Sequence, residues 1–269
     1  MLSMLRTFIA AAALWLAISS AQAAGARLVT IKTPRGASQA FILIEPAKPV
    51  ASLILFAGGH GALGLKSATA MHWGAANFLV RTRDQFVAAG FAVAVIDAPS
   101  DRATGMTASF RMSADHAGDI GAVADYLKAE APAPIWLAGT SMGTFSAANG
   151  AIAGHADGLV LTSTITRAHP HWDIAARMPD GVADMALARI GVPVLVLANR
   201  DDACAQSPPA GAALIKRRLS KAKPVEVVML KGGWPPASSA CQAKAQHGYY
   251  GTEREAVGAI ARFIKANTK

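Results

Sequence analysis

The chain has 269 residues, of which 52% are hydrophobic and only 16% charged. Such a balance excludes a disordered chain, which lacks the apolar surface to offset its ordering entropy, and the length suits one sizeable domain better than two. The net charge is +9, but the basic residues are scattered. Their densest run, Lys216-Arg217-Arg218, falls on a predicted helix and reads as a solvated face. No nucleic-acid motif accompanies it, and no nucleic-acid partner is expected.

The first 23 residues have the three-part layout of a secretory signal. Met1–Thr7 carries Arg6 and no acid, Phe8–Ile18 is eleven apolar residues in a row, and Ala21-Gln22-Ala23 puts small residues where a signal peptidase reads. Spanning a bilayer takes roughly 20 apolar residues, so cleavage after Ala23 is expected rather than anchoring. The expected product is a single exported domain over 24–269, periplasmic or extracellular, with no stable membrane span.

Beyond the signal, apolar blocks alternate with amphipathic stretches. Arg27–Lys32 and Ala40–Glu45 read as two short strands with a Pro-Arg-Gly turn between them, forming an antiparallel edge. Ser52–Ala57 is a continuous apolar run, the mark of a strand buried on both faces. A Gly-rich loop and a helical stretch over Asn77–Ala89 follow, then a buried strand at Phe91–Ile96, a loop over Asp97–Ser113 and a helix over Ala114–Ala129. The alternation continues with strand Pro134–Ala138, helix Met142–Ala153, strand Gly158–Thr162, strand Pro193–Ala198, helix Pro209–Leu219, strand Val225–Leu230 and helix Glu253–Ala266. Strands separated by helices imply a mostly parallel sheet covered on both faces.

Chemistry concentrates in Gly139-Thr140-Ser141-Met142-Gly143, which follows an apolar strand and opens a helical run. A turn that sharp needs glycines where side chains would collide, and it holds the serine out at the carboxyl edge of the sheet. The N–H of Met142, at the helix start, can then face a developing oxyanion. A serine hydroxyl attacks poorly until a base takes its proton. Of seven histidines, only His247 lies after the late strands and just before the last helix. The acid that would orient it belongs just past strand Pro193–Ala198, where Asn199-Arg200-Asp201-Asp202 stands. Asp202 is preferred, with Asp201 as its rival.

The elbow Gly139–Gly143, the strand-end acids and the loop His247-Gly248-Tyr249-Tyr250-Gly251 together resemble the α/β-hydrolase superfamily. The resemblance runs from about Arg27 onward and is strongest to dienelactone-hydrolase-type and small esterase-type members. It implies the α/β-hydrolase fold, with about eight strands in the sheet and a small lid or none. In Ala57-Gly58-Gly59-His60-Gly61 the family's leading histidine is replaced by Ala57, so the resemblance makes the Gly59 N–H the second oxyanion donor, with His60 as alternative. Asn199 and Cys204 also depart from the Gly and Pro common around the family's acid.

The expected chemistry is hydrolysis of a small acyl ester through an acyl-enzyme, with no metal and no organic cofactor. An acyltransferase or peptidase on the same scaffold, or a binding protein that keeps the fold, are the alternatives. Cys204 and Cys241, the only two cysteines, stand beside Asp202 and His247, and in an oxidising compartment they are expected to form a disulfide. Trp73, Trp172 and Trp234 are candidate pocket walls. Segment Ser163–Ile190 could hold a small lid, and His169-Pro170-His171 within it reads as a surface loop over the site.

Overall fold

The computed structural model describes residues 24–268; the expected signal 1–23 lies outside the described residues. Eight strands form one sheet: β1 (Ala24–Lys32), β2 (Ser38–Glu45), β3 (Ser52–Phe56), β4 (Ala92–Ile96), β5 (Ile135–Thr140), β6 (Gly158–Thr162), β7 (Val194–Asn199) and β8 (Val225–Leu230). Their spatial order is β1-β2-β4-β3-β5-β6-β7-β8. β1 pairs antiparallel with β2 and β2 with β4, while every pairing from β4 through β8 is parallel.

The central strands are apolar without alternation because both faces are covered. Successive residues of β3 divide between two cores: Ile54 and Phe56 face one, Leu53 and Leu55 the other. The first core is closed by α4 (Ala114–Glu130), α5 (Gly143–Ile152) and α6 (Gly211–Arg218), through Ile120, Phe145 and Ile215. The second is closed by α1 (Phe78–Arg81), α2 (Arg83–Ala88) and α7 (Glu253–Asn267), through Phe78, Phe86, Ile260 and Phe263. From β3 the chain crosses one way to β4 and later the other way to β5. Such a reversal opens a crevice at the strands' carboxyl ends, where doubly wound sheets bind ligands.

Two expectations need correction, and the open question of a lid is answered. The helix expected over Asn77–Ala89 is two helices, α1 and α2, broken at Thr82. The Thr82 hydroxyl donates to Phe78 O at 2.7 Å, a bond that competes with the helical ladder. Asp97–Ser113 is not all loop, because it contains α3 (Ala108–Arg111), capped by the Thr107 side chain on the Phe110 N–H. Ser163–Ile190 is no lid. It holds two 3-10 turns, and its Ile165, Ile174, Val182 and Leu187 are buried in the first core. A segment with that much apolar surface packs inward.

Candidate active site

Ser141 follows β5 directly and has φ +53°, a left-handed conformation that is strained for a residue with a side chain. Its surroundings hold it there. A side chain at Gly139 would strike the Gly143 backbone, and one at Gly143 would strike the backbone of Phe56 and Ala57. Glycine at both positions lets α5 start close against β5 and the end of β3. The Ser141 N–H is bound to Thr162 O at 3.0 Å, tying the turn to neighbouring β6.

Across the crevice, the loop after β3 approaches the same point. A Cβ added at Gly58 would lie 3.0 Å from the Ser141 Cβ. Gly59 has φ +58°, and a side chain there would meet the Trp73 ring at 2.7 Å. His60 stacks on Trp73 with ring centroids 4.0 Å apart, while its Nδ1 accepts the Ala62 N–H. The His60 ring therefore belongs to the loop's own packing, and Gly58 and Gly59 are the residues that line the cleft.

His247 lies in a short 3-10 turn after β8 and is 4% exposed. Its Nδ1 is 2.9 Å from Asp202 Oδ2. The Asp202 carboxylate also accepts the Cys204 N–H at 2.8 Å and the Ser207 hydroxyl at 2.9 Å. This buried carboxylate thus has three donors, and its acceptor role fixes the proton of the imidazole on Nδ1. His247 Nε2 has no hydrogen-bond partner among the described residues. Ser141 and His247 line one cleft of about 460 Å³. Asp201 is exposed and turned elsewhere: it accepts the Gly232 N–H at 2.7 Å and secures the chain leaving β8.

Two further residues fasten the histidine loop to the sheet. Tyr249, fully buried and at φ +58°, donates its hydroxyl to Leu197 O at 2.8 Å. Burial pushes that phenol well above its ordinary pKa, so it remains a donor. Ser163, at φ +44°, donates its hydroxyl to His247 O at 2.7 Å. Among the described residues, those other than glycine with positive φ are Ser141, Ser163 and Tyr249, and all belong to this assembly. Cys204 and Cys241 are disulfide-bonded, with Cα atoms 4.6 Å apart. The bridge joins the acid's loop to the segment before His247, and Cys241 lies in the cleft wall. Cys204 Sγ, the Asp202 carboxylate and a His247 nitrogen cluster within 4.8 Å of one another. The sulfur is bonded to Cys241 and Nδ1 to Asp202, so these donors are already engaged.

Sequence reasoning missed several residues around the cleft. Ser207 carries no signal in the sequence, being one serine in a loop. Asp97 had a signal that went unread, a carboxylate at the end of a buried strand. Its oxygens accept N–H groups from Leu63 at 2.6 Å, Leu65 at 2.9 Å and Ala98 at 2.7 Å, which shapes the loop leading to the cleft wall. Arg111 is wholly buried, against the ordinary rule for arginine. Its guanidinium donates to Ser146 Oγ at 2.8 Å and Gly59 O at 3.2 Å. Burial lowers its pKa to about 10, so it stays charged at neutral pH. Burial first, and then the Arg111 charge, push His60 below its ordinary value.

The walls also include Met71, Trp73, Ala75, Ala76 and Phe78, the polar side chains of His72 and Asn77, and Gln242 and Ala243 from the segment before His247. Of the candidate tryptophans, only Trp73 lines this cleft. Trp172 packs against the first core, and Trp234 is 60% exposed with its ring edge-on to Tyr250. His169 and His171 are likewise not among the residues lining the cleft; their neighbours Ala168 and Trp172 pack against the first core. Among the described residues no helix is long and apolar enough to cross a membrane.

No family model matches the sequence. No curated protein matches it either. Solved structures do. An esterase of Pyrococcus furiosus superposes with a TM-score of 0.65 at 14% identity, covering 91% of this chain and 92% of its own. A cold-adapted esterase from an Arctic intertidal metagenomic library gives 0.60 at 16%, covering 91% and 94%. A lidless α/β serine hydrolase of Xanthomonas campestris gives 0.58 at 15%, covering 90% and 94%. Likeness over nearly the whole of each chain, at this identity, is likeness of fold.

Proposed function

We propose that this chain, which has the α/β-hydrolase fold, is a serine hydrolase that cleaves a carboxylic ester. Ser141 is the nucleophile, His247 its general base and Asp202 the acid that orients the imidazole. The observation that carries the reading is the conjunction at the sheet's carboxyl edge. A serine held at φ +53° on a strand-to-helix turn shares a cleft with a histidine whose Nδ1 is bound to a buried carboxylate and whose Nε2 is unpartnered.

In this reading Ser141 Oγ attacks the ester carbonyl carbon as His247 Nε2 takes its proton. The negative charge that gathers on the carbonyl oxygen is met by the backbone N–H groups of Met142 and Gly59. Asp202 keeps the imidazole in the tautomer that leaves Nε2 free and stabilises the imidazolium once formed. Collapse of the tetrahedral intermediate expels the alcohol, which takes the proton from Nε2. Water, activated by the same imidazole, then releases the acid. The walls carry no acid, lysine or arginine and are mostly apolar, which supports an uncharged acyl group of modest size.

Export belongs to the same proposal. The layout of residues 1–23 and the Cys204–Cys241 bridge both suit an oxidising compartment outside the cytoplasm.

Release of p-nitrophenol from short acyl esters tests the activity, with peptide anilides as the competing substrates. The expected result is ester turnover that falls by on the order of 10⁶ in Ser141→Ala while the fold is kept. Ester turnover undiminished in that variant would remove Ser141 from the chemistry. Preferential anilide cleavage would make the protein a peptidase.

A further inference from the structure

Arg111 stands out because nothing in the core accounts for its charge. It is 0% exposed and makes no salt bridge among the described residues. A buried charge without a counter-ion is costly, and an apolar side chain of the same length fills such a space without that cost.

Its acceptors lie where the proposed chemistry needs support. One is Gly59 O, in the loop after β3; the other is Ser146 Oγ, in α5, the helix that begins just after Ser141 and Met142. These two segments carry the two proposed oxyanion donors. The loop is moulded around the guanidinium as well. Gly61 has φ +72°, and a side chain there would collide with Arg111 Nη2. Arg111 is itself held, since Asn149 of α5 donates to its carbonyl at 3.1 Å.

We propose that Arg111 is a positioning residue that clamps the Gly58–Gly59 loop to α5 and keeps a fixed positive charge behind the oxyanion site. The inference rests on the acyl-enzyme reading of Ser141. Arg111 does not line the cleft, so it acts through the Gly59 peptide and through its field, not by touching substrate. Fixed charges and dipoles aimed at a developing oxyanion need no reorganisation during the reaction, which is why such an arrangement favours the transition state over bound substrate.

The test compares wild type with Arg111→Met, which removes charge and clamp, and Arg111→Lys, which keeps the charge. For each, kcat and KM for a short p-nitrophenyl ester, the Kd of phenylboronic acid as an oxyanion mimic, and Tm are measured. Expected for Arg111→Met is a fold as stable as wild type, kcat lower by about 10- to 100-fold, KM within about 3-fold and boronate affinity weakened in step with kcat. Arg111→Lys should recover part of kcat and of boronate affinity. Should Arg111→Met fail to fold, the Lys variant decides: boronate binding and kcat equal to wild type would overturn the proposal, and a joint loss in folded protein would support it. Full activity in folded Arg111→Met overturns it, as does a loss of kcat that merely follows the folded fraction. A wild type inert toward esters overturns both readings, whereas an active wild type with an undiminished Arg111→Met overturns only this one.

Discussion

Two adjacent carboxylates, Asp201 and Asp202, stand at the end of β7 and do different work. Asp202 turns inward to His247 Nδ1 and is shielded by Cys204 N and Ser207 Oγ, while Asp201 turns outward to the Gly232 N–H. Asp202→Asn should lower kcat/KM by about 10⁴, because an amide cannot hold the imidazole in the same tautomer or offset the imidazolium charge. Asp201→Asn exchanges one exposed acceptor for another and should leave kcat/KM within a few-fold. Parallel kinetics on purified variants decide the matter; a severe Asp201→Asn with a mild Asp202→Asn would reverse the roles. The sequence left this pair as preference and rival because alternation cannot say which of two loop residues faces inward. In the folded chain the inward residue is Asp202, at a turn where the Asn199 side chain, through Oδ1, accepts the Asp201 N–H at 3.0 Å.

At the scale of elements, most of the architecture was legible because the buried strands are unbroken apolar runs set off by polar turns. Ser52–Phe56 and Gly158–Thr162 could hardly be anything else. Shorter helices were harder to read, since α3 has four residues and depends on the Thr107 cap and the burial of Phe110. Whether Ser163–Ile190 held a small lid stayed open in the sequence because its apolar residues have no strand or helix period, so their inward packing is a purely tertiary fact. The link between acid loop and histidine loop was readable from two cysteines placed beside Asp202 and His247, and it exists. Closing a segment with a sequence separation of 37 stabilises the folded chain by about 4 kcal/mol in the chain-entropy model. Cys204→Ser with Cys241→Ser should therefore lower Tm by about 10 °C. Activity should fall below wild type well under that Tm, as the acid–base pair loses its fixed spacing. Differential scanning calorimetry and ester kinetics on the double variant check this; wild-type Tm and activity would show the bridge to be dispensable.

On the scale of the whole molecule, the fold carries a charge and a neutral imidazole side by side in its first core. His116 is fully buried with Nε2 2.9 Å from Ser146 Oγ, the same hydroxyl that Arg111 engages. Burial, reinforced by the charges of Arg111 and Arg35, lowers the His116 pKa to about 3. In the unfolded chain an ordinary histidine takes up a proton near pH 6.5. Above that pH neither state binds the proton, and the full stability is present; below it the unfolded state binds one that the native state refuses, so stability falls with pH down to about pH 3. Between pH 6 and pH 4 this single residue should remove about 2–3 kcal/mol. Urea unfolding of wild type and His116→Asn across that range should show a shallower acid loss in the variant. Equal slopes would mean that other groups govern the acid limb.

The central claim is that Ser141 becomes acylated with His247 as its base, and reaction with a fluorophosphonate probe followed by peptide mass spectrometry tests it most directly. One adduct per chain is expected, on the peptide that contains Ser141. The adduct should be absent in Ser141→Ala and formed at least about 10³-fold more slowly in His247→Ala, the scale on which loss of a triad member acts. An adduct on another residue, or ester hydrolysis by a protein that takes up no probe at all, would contradict it.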